Sequence, residues 1–85
     1  MEILYKPSFI RQFNKLDEAL QEEVLEKVEL FKDKSNHKNL HVHKLGGKLK
    51  DFYSFSVNYS FRIVFSYDTK ERASFLAVGN HVVYG

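Results

Sequence analysis

The sequence predicts an α+β domain, with an N-terminal strand, a two-helix hairpin and a small twisted antiparallel sheet that the hairpin covers on one face. Three observations lead there. Apolar residues recur every three to four positions from Phe9 to Phe31, then at every second position from Phe52 to Tyr67, and finally as an unbroken run from Ala73 to Val78. The first spacing belongs to amphipathic helices, the second to half-buried strands and the third to a strand buried on both faces. The 85 residues form one domain spanning 1–85, with a small core and little stability to spare.

Taken in order, Met1 to Tyr5 is short, apolar and suited to a strand, and Pro7 has the fixed φ of a first helical turn. Phe9, Phe13 and Leu16 share one face of the helix that follows, leaving Arg11, Gln12 and Lys15 toward water. Asp17 is placed to cap a second helix in which Leu20, Val24, Val28 and Phe31 repeat. Neither helix buries its stripe alone, so both are expected on one side of the sheet, with the opposite face left for function. The helical pattern ends at Lys34-Ser35-Asn36-His37, and a basic loop with a Gly46-Gly47 turn runs to Leu49. Tyr53, Phe55, Val57 and Tyr59 then share one strand face, with Phe52, Ser54, Ser56 and Asn58 opposite. After a turn near Asn58 to Ser60, Phe61, Ile63, Phe65 and Tyr67 alternate with Arg62, Val64 and Ser66. Ala73 to Val78 reads as a central strand that Gly79-Asn80-His81 breaks, leaving Val82-Val83-Tyr84 as a short terminal extension or extra strand. The order is β-α-α-β-β-β, and short turns between consecutive strands predict antiparallel pairing.

Composition excludes several classes of protein. Hydrophobic residues make up 44% and charged residues 28%, a globular balance. The absence of cysteine rules out a disulfide framework, a thiolate metal site and a cysteine nucleophile, and fits a reducing cytoplasm. The sequence has no signal-peptide pattern and no apolar run of membrane-spanning length, so a soluble cytoplasmic protein without a membrane partner is expected. Ser54 and Ser56 lie on a strand without a nucleophile elbow, and Gly46-Gly47 lacks the spacing of a phosphate loop.

Charge is distributed unevenly. Asp17 to Asp33 holds seven acids and two lysines, a net −5, so the rest of the chain carries +7 against an overall +2. Lys34 to Lys50 contains five lysines, three histidines and no acid. Such a patch suits phosphates, and equally an acidic protein or plain solvent.

The candidates for chemistry sit in and around the stretch from His41 to Phe65. Arg62 interrupts an apolar strand; it is either a rigid bidentate donor for phosphate or the partner of an acid such as Asp51 or Asp68. His81 follows a strand end and is either a general acid or base aimed across the sheet or a surface histidine. His41 and His43 point the same way if the segment is extended; with His37 they read as a weak metal site, or else as acid-base groups beside Lys44, Lys48 and Lys50.

Lys44-Leu45 before the glycine turn, Tyr59-Ser60-Phe61-Arg62-Ile63-Val64-Phe65, and Gly79-Asn80-His81 followed by Tyr84 appear in an order and spacing that resembles the RelE/ParE superfamily of toxins from bacterial toxin-antitoxin pairs. The resemblance covers nearly the whole chain and is strongest in character to the YoeB- and YafQ-like mRNA interferases. It implies a metal-independent endoribonuclease, needing no cofactor, that cuts messenger RNA, in many members only on the translating ribosome, and so arrests growth. By position, His43 would be the general base that activates a 2′-hydroxyl, with His41 the other candidate. Arg62 would stabilise the charged phosphorane, His81 would protonate the leaving 5′-oxygen, and Tyr84 would help orient the RNA. Lys44, Lys48, Lys50 and Asn80 would bind RNA, and a cognate antitoxin would cover the basic face. Ser54 and Ser56 stand where RelE has two lysines, which favours a histidine-based mechanism. Two other readings stand beside this one. The first is a ParE-like inhibitor that poisons DNA gyrase by binding, without catalysis; the paired histidines weigh against it. The second is a small basic RNA-binding module, which offers no reason for a histidine at each end of the sheet.

Overall fold

The computed structural model describes residues 1–80, and His81, Tyr84 and the terminal extension between and around them lie outside the described residues. Strand β1 (Glu2–Tyr5) leads into helix α1 (Pro7–Asn14) and helix α2 (Glu18–Phe31). Strands β2 (His43–Lys44), β3 (Tyr53–Ser56), β4 (Phe61–Thr69) and β5 (Arg72–Asn80) follow. They form one five-stranded sheet in the order β1-β5-β4-β3-β2, with the helices against one face. The predicted α+β class and element order hold.

The helix starts follow from local chemistry. Pro7 occupies the first turn of α1 after the extended Lys6, where a missing N–H costs nothing. Asp17 Oδ1 accepts a 2.8 Å bond from the Leu20 amide and caps α2. Val24, Val28 and Phe31 are buried, as their spacing predicts. Phe31 is the hub of the core: its ring stacks on Phe55 at 4.7 Å and meets Phe65 at 4.9 Å and Phe75 at 5.4 Å edge-on. Such aromatic pairs contribute roughly 0.5–1.5 kcal/mol each beyond the area they bury. Their effect is to lock α2 across β3, β4 and β5.

The structure departs from the sequence reading in four places. The sheet is mixed, because β1 runs parallel to β5 (Ile3 beside Ala73, Tyr5 beside Phe75). No turn dictates the direction of β1, whose partner lies some seventy residues away; only the strands joined by short turns had to be antiparallel. The basic loop also contains a strand, β2, antiparallel to β3 (His43 beside Ser54, Lys44 beside Tyr53) and too short to show a period of two. The strand β5 is not broken at Gly79-Asn80; Gly79 pairs with Arg62 and Asn80 with Phe61. Finally, Tyr59 does not continue the buried face of Tyr53, Phe55 and Val57: it is 94% exposed on the turn between β3 and β4.

Alternation settles the two sheet faces. Phe55, Ile63, Phe65 and Phe75 point into the helix-covered core. The opposite face carries His43, Ser54, Ser56, Arg62, Val64, Ser66 and Ser74; Ser54, Val64 and Ser74 are buried there, and His43, Ser56, Arg62 and Ser66 reach the surface to differing degrees. Among the described residues, no helix is long and apolar enough to cross a membrane.

Candidate active site

Arg62 lies near the start of β4, opposite Ser56 on one neighbouring strand and Gly79 on the other. Gly79 has no side chain, so β5 places no Cβ directly beside the arginine. The guanidinium folds back on the β3–β4 turn, where Nη1 donates to the carbonyls of Asn58 (2.8 Å), Phe61 (3.3 Å) and Tyr59 (3.4 Å). The ion-pair reading of Arg62 fails: Asp68 instead lies 3.4 Å from Arg72 and accepts from Ser74 Oγ at 2.7 Å. Among the described residues, no carboxylate lies within ion-pair distance of Arg62, and its bonds all use Nη1. Its charge is positioned by neutral carbonyls, and among the described residues no anion offsets it and Nε and Nη2 face no protein partner.

His43 is placed by the pairing of β2 with β3. Its Nδ1 lies 2.8 Å from the His41 carbonyl oxygen. A carbonyl only accepts, so Nδ1 carries the proton and the lone pair of the neutral ring sits on Nε2. His41 has φ of 58°, the left-handed region, so the two histidines are not the extended pair the sequence suggested. That backbone turn aims the His41 carbonyl at His43. Both rings nevertheless line one open cavity of about 580 Å³ together with Ser56, Asn58, Tyr59 and Arg62.

His37 takes no part in this cavity. Its Nε2 bonds the Phe31 carbonyl at 2.7 Å and its ring stacks on Phe31 at 4.5 Å, tying the end of α2 to the loop. It satisfies one of the carbonyls that every helix end leaves open. Among the described residues, no cluster of three or more His, Cys, Asp or Glu side chains is placed to hold a metal.

The lysines lie outside the cavity. Lys44 pairs with Tyr53 and so takes the opposite alternation from His43; Lys48 and Lys50 sit in and just after the single helical turn Gly47–Leu49, all three exposed. They extend a basic edge from β2. Asn80 pairs with Phe61, at the same end of the sheet as the β3–β4 turn. For His81 and Tyr84 no position is described.

Sequence reasoning missed Asn58 and Tyr59. Asn58 organises the turn: Oδ1 accepts from the amides of Ser60 (2.8 Å) and Phe61 (2.9 Å), Nδ2 donates to Glu23 Oε1 of α2 (2.7 Å), and its carbonyl takes the shortest Arg62 bond. The signal was present in Asn58 itself, a residue that bonds its own backbone in turns. The turn that the sequence reading places near Asn58 to Ser60 is there, but the alternation ends before it, so Tyr59 has no core face to join.

Compared by sequence, the chain matches no family model and no curated protein. Compared by structure, its neighbours are RelE, YoeB, YafQ and related toxins of type II toxin-antitoxin systems. A chain of the YoeB–YefM complex from Staphylococcus aureus is 15% identical and superposes with a TM-score of 0.73 over 95% of this chain and 97% of that one. YafQ from Escherichia coli strain BL21(DE3) is 13% identical, with a TM-score of 0.72 over 99% and 98%. A chain of the archaeal RelE–RelB complex from Pyrococcus horikoshii OT3 is 17% identical, with a TM-score of 0.71 over 93% and 92%. At such identities the likeness is one of fold.

Proposed function

From the RelE-like fold and the site geometry, we propose that this chain is the toxin of a type II toxin-antitoxin pair and acts as a metal-independent endoribonuclease on messenger RNA at the translating ribosome. The observation that carries this reading is the pairing, in one cavity, of a histidine whose tautomer leaves Nε2 free and an arginine with no described carboxylate partner. His43 Nε2 takes the proton of the 2′-hydroxyl before the cut. The 2′-oxygen attacks phosphorus in line, the P–O2′ bond forms and the P–O5′ bond breaks, leaving a 2′,3′-cyclic phosphate and a 5′-hydroxyl. The Nε and Nη2 of Arg62 stabilise the negative charge that grows on the phosphorane. His81 supplies the proton to the leaving 5′-oxygen, and Tyr84 orients the RNA. Lys44, Lys48, Lys50 and Asn80 hold flanking nucleotides. Ser54 and Ser56 offer no cation, so the acid-base work rests on histidine. The partner is an antitoxin covering this face, as antitoxins accompany the neighbouring toxins in their complexes.

The test is incubation with translating ribosomes and mapping of RNA ends for the wild type and for His43→Ala, Arg62→Ala and His81→Ala, each checked for folding by circular dichroism. Cuts within codons that each substitution slows by roughly 10²–10⁴-fold are expected. Undiminished cutting by folded His81→Ala would remove the acid from the scheme. Intact RNA with trapped gyrase–DNA complexes would replace the whole reading by ParE-like inhibition.

A further inference from the structure

Tyr59 is not explained by folding. It is 94% exposed, whereas among the described residues the next most exposed large apolar side chain, Leu25, is 52% exposed. Flexibility does not explain it either, because the backbone on both sides is pinned. Asn58 Oδ1 holds the Ser60 and Phe61 amides, Asn58 Nδ2 is anchored to Glu23 on α2, and the Tyr59 carbonyl itself accepts from Arg62. A rigid turn therefore displays an aromatic ring in water, on the wall of the cavity that holds His41, His43 and Arg62.

The chemistry of that wall narrows what fits it. A guanidinium with no carboxylate partner among the described residues suits a phosphate, and a flat apolar ring beside it suits a flat apolar face. A nucleotide with an unpaired base offers both, at a separation fixed by its sugar. The cavity volume of about 580 Å³ lies in the range that encloses small ligands. A base inside a duplex has no face to spare, so the fitting ligand is single-stranded.

We propose that Tyr59 is a base-stacking platform, packing against an unpaired nucleobase next to the phosphate that Arg62 holds. This rests on the ribonuclease reading for the role of the phosphate, but the stacking itself needs no cleavage. Stacking on a π-face is sequence-tolerant, so Tyr59 adds affinity and registers the strand without choosing a base.

The experiment measures binding alone, using a fluorescently labelled single-stranded RNA made uncuttable by 2′-O-methyl groups, and copies of it with an abasic site moved along the strand. Tyr59→Ala is expected to weaken binding roughly 5- to 150-fold, the range for losing one stacked base, while Tyr59→Phe stays close to wild type. At one abasic position the wild type loses affinity by the same factor, and Tyr59→Ala loses nothing further. Because the side chain is exposed, thermal melting is expected to be unchanged in both variants. Equal losses in the Phe and Ala variants, losses that persist on every abasic strand, or no binding of any strand by the wild type would each overturn the proposal. So would a Tyr59→Ala variant that binds RNA normally but no longer binds the antitoxin. Cleavage is assayed separately: stacking without cutting removes the ribonuclease reading and keeps the platform, and cutting without stacking does the reverse.

Discussion

The His43 ring owes its tautomer to a backbone atom two residues away, so on the proposed reading the side chains of His41 and His43 can be tested apart. The carbonyl of His41 orients the ring of His43, and any residue that tolerates φ of 58° keeps that carbonyl in place. His41→Asn is therefore expected to retain cleavage within a few-fold, because Asn is comfortable in the left-handed region. His43→Asn is expected to lose roughly 10²–10⁴-fold, the usual worth of a general base. The initial cleavage rates of the two variants, measured side by side, decide between the histidines. Equal losses would mean that the His41 ring, too, handles the proton.

At the scale of elements, the turn between β3 and β4 is the part that the site depends on most. Asn58 holds it through three side-chain bonds and passes its carbonyl to Arg62, while Glu23 anchors it to the acidic helix. Asn58→Ala is expected to cost about 1–3 kcal/mol in urea unfolding, the penalty for leaving partly buried groups unpaired. It is also expected to lower kcat more than it raises KM, because Arg62 loses its seat while the cavity remains. A second link, between the turn after α2 and the β4–β5 turn, is electrostatic. Lys34 Nζ lies 3.0 Å from Glu71 Oε1, and this hydrogen bond, together with the lysine's charge, holds the Glu71 carboxyl below its ordinary value. A carboxyl lowered in the folded state favours folding at neutral pH and loses that contribution as pH falls from the unfolded value through the folded one. Lys34→Ala should therefore flatten the acid side of a plot of melting temperature against pH. An unchanged slope would show the pair to be fully screened at the surface.

Over the whole molecule, the sheet separates the charges. The acidic helix α2 packs against one face, while Arg62 and His43 lie on the other and Lys44, Lys48 and Lys50 are exposed along and just beyond the β2 edge. That separation suits a polyanion approaching from one side only. Binding of single-stranded RNA is expected to weaken linearly in log–log against salt, with a slope that falls by about 0.7 for each phosphate contact removed. A Lys48→Gln, Lys50→Gln double variant, both positions exposed and away from the core, tests this by titration at several salt concentrations. A slope identical to wild type would assign those lysines to solvent.

The sequence by itself determined the two helices, the longer strands and most of the core, because periodicity is a local property that burial enforces. Phe9, Val24, Val28 and Phe31 could share a buried side only on helices, and Phe55, Ile63 and Phe65 only on strands. It also put forward Arg62, which interrupts an apolar strand, and the histidines His41 and His43 as candidates for chemistry, the family resemblance naming His43 between the two. What it could not carry was anything set by residues far apart in the chain. The parallel seating of β1 beside β5, the two-residue strand that places His43, and the bond from Asn58 to Glu23, thirty-five residues distant, exist only once the chain has closed. Tyr59 is the clearest case: alternation assigned it to the core, and a turn held from three directions turned it out to water beside Arg62. Local pattern decides what each segment becomes, and tertiary hydrogen bonds decide which side chains the finished surface brings together.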